Sequence, residues 1–152
     1  MLRFIAGALA LTSTVTFAGE FTVGDLTVTN SVSFETAAMA RAGAGYMDIT
    51  NTGADDTLLA VEADFPRVML HNSVMDGDVA RMEHLMSVPI PSGETVSFAP
   101  GGLHVMFMGL GGDRLEVGET IDATLVFENA GRLDVIFAVV ARPADGADHS
   151  GH

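Results

Sequence analysis

The residues of this chain best suited to chemistry are two histidines and two methionines. Ten residues separate His71 from Met82, twenty-one separate Met82 from His104, and one separates His104 from Met106. Imidazole binds copper, zinc, iron and nickel, whereas a thioether shifts the preference towards Cu(I). The 152 residues include no cysteine, so no thiolate competes for this role. Two imidazoles and two thioethers therefore predict a Cu(I) site.

A strand is expected to place half of this set on one surface. Side chains alternate across a β-strand, so His104 and Met106 point to the same face, and Met108 joins them if the strand is regular. The turn sequence Pro100-Gly101-Gly102 precedes His104 and puts the pair near a strand end. His71 ends a predicted strand, and Met82 follows a predicted loop. We expect these loop-edge residues to converge at one rim of a barrel.

The elements that position these residues are predicted to be short strands. Gly, Pro, Asn and Asp interrupt the chain at regular intervals, and no segment has a long apolar period of 3.6 residues. This pattern favours an all-β sandwich or barrel. The predicted strand segments are 26–28, 32–34, 46–50, 57–61, 68–71, 95–98, 104–110, 119–128 and 132–140.

The two ends of the chain differ from its middle. Arg3, the apolar run Phe4–Leu11 and the small residue Ala18 are typical of a secretory signal. The run is shorter than the roughly 20 residues of a spanning helix, and no later segment is long and apolar enough. We predict a cleaved signal peptide at 1–18, one β-domain at 19–142 and a flexible histidine-containing tail at 143–152. The expected location is the periplasm, without stable membrane insertion.

The charge excludes some partners. The net charge is −13, from 20 acidic and 7 basic residues, and every basic residue is arginine. Such a surface repels nucleic acid and anionic lipid, and favours cations or basic protein surfaces. Solubility alone also accounts for this charge.

Other interpretations of the four residues remain open on spacing alone. Methionine is a common core filler, and Met39, Met47 and Met69 fit that role. A histidine can be structural. No hydrolase, phosphate-loop or zinc-protease motif is present, and Glu83 and Asp113 read as surface carboxylates, so we expect no catalysis. A blue-copper electron carrier needs a cysteine thiolate, which this chain lacks.

The segment from His71 to Leu110 resembles the PCu(A)C family of periplasmic copper chaperones. The family hallmark is His-x10-Met-x21-His-x-Met, matched here by His71, Met82, His104 and Met106. Flanking sequence agrees in three stretches, and the similarity extends over residues 45–141. The stretches are Val79-Ala80-Arg81-Met82, Val88-Pro89-Ile90-Pro91-Ser92-Gly93-Glu94-Thr95-Val96 and Pro100-Gly101-Gly102-Leu103-His104-Val105-Met106-Phe107-Met108-Gly109-Leu110.

The resemblance implies a cupredoxin-like Greek-key β-barrel or sandwich that binds Cu(I) through these two histidines and two methionines. It also implies delivery of copper to the CuA centre of cytochrome c oxidase subunit II or to a Sco-type copper protein, by a protein we expect to be monomeric. The alternative is a secreted β-sandwich for copper storage or resistance, or a structural interaction protein, without a delivery role.

Four further residues carry soft or imidazole donors. His84 and Met86 follow Met82 at a period of two and share its face if the segment is extended. We expect His84 to lie outside the first coordination shell. His149 and His152 lie in the tail, and the resemblance allows a second site there for Cu(II), which accepts imidazole.

Overall fold

The protein is described here by a computed structural model of residues 19–142, in which every regular element is a β-strand. The prediction of an all-β chain is confirmed. The predicted signal peptide at 1–18 and the predicted tail at 143–152 lie outside the described residues. The strands are β1 (Phe21–Val23), β2 (Leu26–Phe34), β3 (Ala42–Asn51), β4 (Asp56–Ala63), β5 (Arg67–Asp76), β6 (Val79–Leu85), β7 (Val88–Ile90), β8 (Thr95–Phe98), β9 (Leu103–Met108), β10 (Thr120–Phe127) and β11 (Gly131–Val140).

All eleven strands belong to one hydrogen-bonded sheet. Its main path runs β6-β5-β9-β3-β2-β11-β10-β4-β7, with β1 added beside β2 and β8 beside β3. The β11–β2 pair is parallel and the other pairs are antiparallel. The sheet folds over itself, because β4 and β5 are far apart along this path yet pack against each other. Strand β6 ends the path and therefore has one unpaired edge.

An aromatic cluster fixes the position of β9 in the core. The Phe107 ring lies 5.1 Å from the Phe65 ring and 5.6 Å from the Phe137 ring, between centroids. Gly45 on the neighbouring strand leaves room for this packing, because a Cβ there would lie 2.9 Å from a Phe107 ring carbon. Since Val105 and Phe107 are fully buried on one face of β9, alternation sends Met106 and Met108 to the other face.

A tight turn determines where β9 begins. Gly102 N–H donates to the Ala99 carbonyl over 3.0 Å, which closes a four-residue turn with Pro100 second and Gly101 third. Gly101 has φ +85°. Proline in the second place and a positive-φ glycine in the third are the signature of a type II turn. The turn predicted from Pro100-Gly101-Gly102 is confirmed, and it leads directly into His104.

The region between β4 and β8 differs from the sequence-based expectation. Strand β5 continues to Asp76, five residues beyond its predicted end at His71. Strands β6 and β7 were not predicted. Strand β6 is almost wholly exposed and has no alternation of buried and exposed residues, and β7 has only three residues. Within residues 19–142, no helix is long and apolar enough to cross a membrane.

We predict that Phe107→Ala lowers the free energy of unfolding by about 3–5 kcal/mol, because it removes a fully buried ring and leaves a cavity. Urea denaturation of the metal-free protein measures this change. Val117→Ala is the control, since Val117 is 55% exposed and the loss there should stay within about 0.5 kcal/mol. Equal losses in both variants would contradict the placement of Phe107 in the core.

Candidate metal centre

His71 occupies the middle of a row of three imidazoles. It lies in β5, opposite His84 of β6 on one side and opposite His104 of β9 on the other. The centroid of its ring is 5.7 Å from that of each neighbour. Directly paired residues of adjacent strands point to the same face. The sheet therefore gathers three histidines that are up to 33 positions apart in the chain.

The same face of these three strands carries most of the methionines. Alternation along β5, β6 and β9 adds five methionine side chains to the three histidines. We call this surface the ligand face. It consists of Met69, His71, Ser73 and Met75 of β5, Ala80, Met82 and His84 of β6, and His104, Met106 and Met108 of β9.

His104 has one buried ring nitrogen, Nε2, that forms no hydrogen bond. Its Nδ1 lies 3.0 Å from the carbonyl oxygen of Gly102, so Nδ1–H donates to that oxygen. Its Nε2 is buried and has no hydrogen-bond partner, and the whole residue is 5% exposed. Leaving a buried polar atom unpaired costs about 1–3 kcal/mol. A carbonyl on one ring nitrogen and a free lone pair on the other form the arrangement that holds a metal-binding histidine.

The Gly102 carbonyl is itself held in place. Ser73 N–H, in β5, donates to it over 3.1 Å. The type II turn fixes the same residue from the other side through its own N–H. The orientation of the His104 ring thus depends on a turn and a neighbouring strand together.

Met82 brings a thioether to His71. Its Sδ lies 3.0 Å from His71 Nδ1, and both side chains belong to the ligand face of adjacent strands. The two soft donors therefore already meet before any ion is present. Met82 is 54% exposed, so the thioether lies at the solvent side of the site, whereas His104 lies at its buried side.

Met106 is the fourth predicted ligand and is on the same face. It pairs with Met69 of β5, two residues along each strand from the His71–His104 pair. Diagonal neighbours at this spacing, about 7–8 Å apart, are within reach of long side chains. Its partner in β3 is Ala44, a residue with a small side chain. The structure thus brings His71, Met82 and His104 together and places Met106 beside them.

The location of the site differs from the prediction in one respect. We expected loop-edge residues at a barrel rim, but His71 and Met82 lie inside β5 and β6. Only His104, the second residue of β9, is close to a strand end. Because three paired strands hold the donors, their spacing depends on β-sheet register rather than on loop conformation.

The chemistry of this surface favours soft metals. The ligand face contains no aspartate, glutamate, lysine or arginine, and the carboxylates of Asp76 and Glu83 on the neighbouring surface pair with Arg81. Within residues 19–142, no group of three His, Asp or Glu side chains is arranged to hold a metal ion. Hard cations require oxygen ligands. A metal held here needs the methionine sulfurs.

The electrostatics keep His71 neutral. Burial lowers the pKa of His71 below its usual 6.5, and the neighbouring imidazoles of His104 and His84 lower it further. A metal ligand must have an unprotonated nitrogen. The imidazole cluster therefore favours the form of His71 that binds metal at neutral pH.

Cavity size alone does not identify this site. A cavity of about 690 Å³ lies against β4, β10 and β11 and is lined by neither histidine nor methionine. Its charged lining residues include Glu62 and Arg132, which form an ion pair with each other. The histidine and methionine side chains of the ligand face indicate the metal site better than cavity volume does.

Two methionines differ from the packing role suggested by composition. Met47 is buried in the core as expected, but Met39 is 88% exposed. Met69 belongs to the ligand face. The additional ligand-face residues His84, Met75 and Met69 share the period of two that marked His104 and Met106, so the sequence did hold a signal for them once β5 and β6 were recognised as strands.

Comparisons with known proteins agree with this picture. The LpqE-like family, described as "Putative lipoprotein LpqE-like", matches residues 26–139. A protein of Leifsonia xyli subsp. xyli described as "Putative lipoprotein Lxx21020" is 33% identical over 110 residues, which cover 70% of this chain and 64% of that protein. The chain thus spans less than two thirds of that relative.

Solved PCuAC domains have the same fold. The apo PCuAC domain of PmoF1 superposes with a TM-score of 0.69 at 28% identity, over 82% of this chain and 100% of that domain. The copper-bound PCuAC domain of PmoF2 gives 0.69 at 27%, over 82% and 99%. Cu(I)-bound DR1885 of Deinococcus radiodurans gives 0.58 at 26%, over 77% of each chain. The predicted resemblance to PCu(A)C proteins and the cupredoxin-like fold are confirmed.

We predict that metal-free His104 is the neutral Nδ1–H tautomer, because the Gly102 carbonyl accepts that proton and Nε2 meets no acceptor. Long-range ¹H–¹⁵N NMR of the histidine rings distinguishes the two nitrogens. A His104 ring carrying its proton on Nε2 would contradict this arrangement.

Proposed function

We propose, since this chain belongs to the LpqE-like family, that it is an exported copper carrier that binds one Cu(I) and passes it to another copper protein. His71, Met82, His104 and Met106 are the proposed ligands. The observation that carries the proposal is the buried, unpartnered Nε2 of His104 beside the contact between His71 and Met82. Copper is the metal named in the PmoF2 and DR1885 structures that this chain resembles.

The donor set suits a carrier better than a permanent site. Imidazole and thioether are both neutral, so the bound Cu(I) keeps its positive charge and is held less firmly than by thiolate. Met82 is 54% exposed, so a ligand from a partner can replace it first while the histidines still hold the ion. The acidic surface favours a basic face on that partner. No chemical change of a substrate is part of this role, and we propose no catalysis.

The proposed location is the periplasm, reached by the signal sequence at 1–18. The proposed recipients are the CuA centre of cytochrome c oxidase subunit II or a Sco-type protein. Copper storage without delivery is the second candidate, and transfer to a recipient separates the two.

We predict that Met82→Leu and Met106→Leu each weaken Cu(I) binding at least about tenfold, or about 1.4 kcal/mol, because each removes one soft ligand. Leucine has a similar volume, so the fold is kept. Competition with a coloured Cu(I) chelator under anaerobic conditions measures the affinity. Met39→Leu is the matched control, because Met39 is also exposed but lies outside the ligand face.

The same loaded proteins test delivery. Each is mixed with the metal-free CuA domain of subunit II, and copper is measured in both proteins after separation. Delivery predicts that copper moves from the wild-type protein to the CuA domain. If copper stays on the wild-type protein, the protein stores copper and does not deliver it. If both leucine variants bind copper as tightly as the wild-type protein, the proposed ligand set is wrong.

We predict that protons compete with Cu(I) for His71 only below pH 6.5, where this competition weakens Cu(I) binding by about tenfold per pH unit. The direction follows from the lowered pKa of His71: protons compete with copper only below that pKa, and therefore at lower pH than for an ordinary histidine. Affinity that already falls between pH 8 and 7, or does not fall in acid, would contradict ligation by this histidine.

A further inference from the structure

Three soft donors beside the proposed Cu(I) ligands share a cavity of their own. Met69, His84 and Met86 line an opening of about 180 Å³ where β4 faces β5 and β6. Its six other lining residues are all apolar. They are Leu59, Ala60, Val61, Val68, Leu70 and Leu85. The lining of this cavity therefore includes one histidine and two methionines among apolar residues.

This cavity adjoins the proposed Cu(I) site. His84 is directly opposite His71, with 5.7 Å between ring centroids, and Met69 pairs with Met106. Each of these two residues is thus the cross-strand neighbour of a proposed ligand.

The donors match a soft monovalent ion. Two thioethers and an imidazole are the ligand types that select Cu(I), and the cavity lining includes no carboxylate. The apolar walls give a hydrated hard cation nothing to bind. Three donors instead of four predict weaker binding than at the neighbouring site.

Packing does not explain Met86. This side chain is 81% exposed, so it buries little apolar surface and gains little from the hydrophobic effect. His84 is exposed as well, although its ring lies 5.7 Å from that of His71. A soft ion that accepts a lone pair from both residues gives their placement a function.

We propose that Met69, His84 and Met86 form a second, weaker Cu(I) site, from which the ion reaches or leaves the His71 site. The proposal rests on the function proposed above. The step is a ligand exchange: His84 and the two thioethers release Cu(I) as His71 and Met82 bind it. Copper stays monovalent and every donor is neutral, so neither an electron nor a proton moves.

The test uses the full-length chain with ¹³C-labelled methionine methyl groups and Ag(I), a soft monovalent ion that does not change oxidation state. NMR follows each methyl group during the titration. The first equivalent should shift the Met82 and Met106 signals. The second should shift the Met69 and Met86 signals and the His84 ring, while the signal of Met39 stays in place.

The double variant His84→Asn with Met86→Leu separates the two sites. The first step should keep its wild-type affinity, and the second-step shift of Met69 should weaken at least tenfold. Met39→Leu is the matched control and should keep both steps. His149→Asn with His152→Asn, which removes the tail imidazoles, should also keep both.

Three results overturn the proposal, and a fourth concerns the first site. A second equivalent that leaves Met69 and Met86 unmoved would overturn it, as would loss of the second step in the tail variant. Weakened first-step binding in the double variant would place His84 in the first site and also overturn it. If instead the first equivalent fails to shift Met82 and Met106, the function proposed above is wrong.

Discussion

The register of three adjacent strands is the constraint on which the site depends. β5 lies between β6 and β9, and one residue of it, His71, faces a histidine on each side. A slip of one residue in either pairing would turn the donors of that strand to the opposite face. Leu70, Val105 and Phe107 oppose such a slip between β5 and β9, because they are buried and would have to leave the core. The hydrophobic core thus fixes the relative positions of His71, His104 and Met106, although it contributes none of them.

The site combines a rigid side and an open side. His104 is 5% exposed and its ring is oriented by the Gly102 carbonyl, so its lone pair is in place before metal binds. Met82 is 54% exposed and belongs to an edge strand. A preformed buried donor favours capture of the ion, and an exposed neutral donor favours its release to a partner. The absence of cysteine from the sequence has the same effect, since no thiolate is present to hold the ion.

The sequence predicted which side chains share a face better than the strands that carry them. The family resemblance marked the four proposed ligands, the period of two placed His104 and Met106 on one face, and Pro100-Gly101 correctly predicted the turn before them. It did not reveal β6, because an exposed edge strand with the sequence Val-Ala-Arg-Met-Glu-His-Leu has no buried face to produce a hydrophobic pattern. The tautomer of His104 also could not be predicted from the sequence, because it depends on the Gly102 carbonyl, which Ser73 of a different strand helps to hold in place. Met39, which composition assigned to packing, is in fact exposed.

The central claim is that one ion is bound by imidazole and thioether together, and the most direct measurement of it is X-ray absorption on the protein loaded with one equivalent of Cu(I). The account predicts a first shell that contains both nitrogen and sulfur, in about equal numbers, with sulfur scattering reduced in Met82→Leu. A first shell of nitrogen or oxygen alone would contradict it, because the ligand face would then bind copper without the methionines that distinguish it.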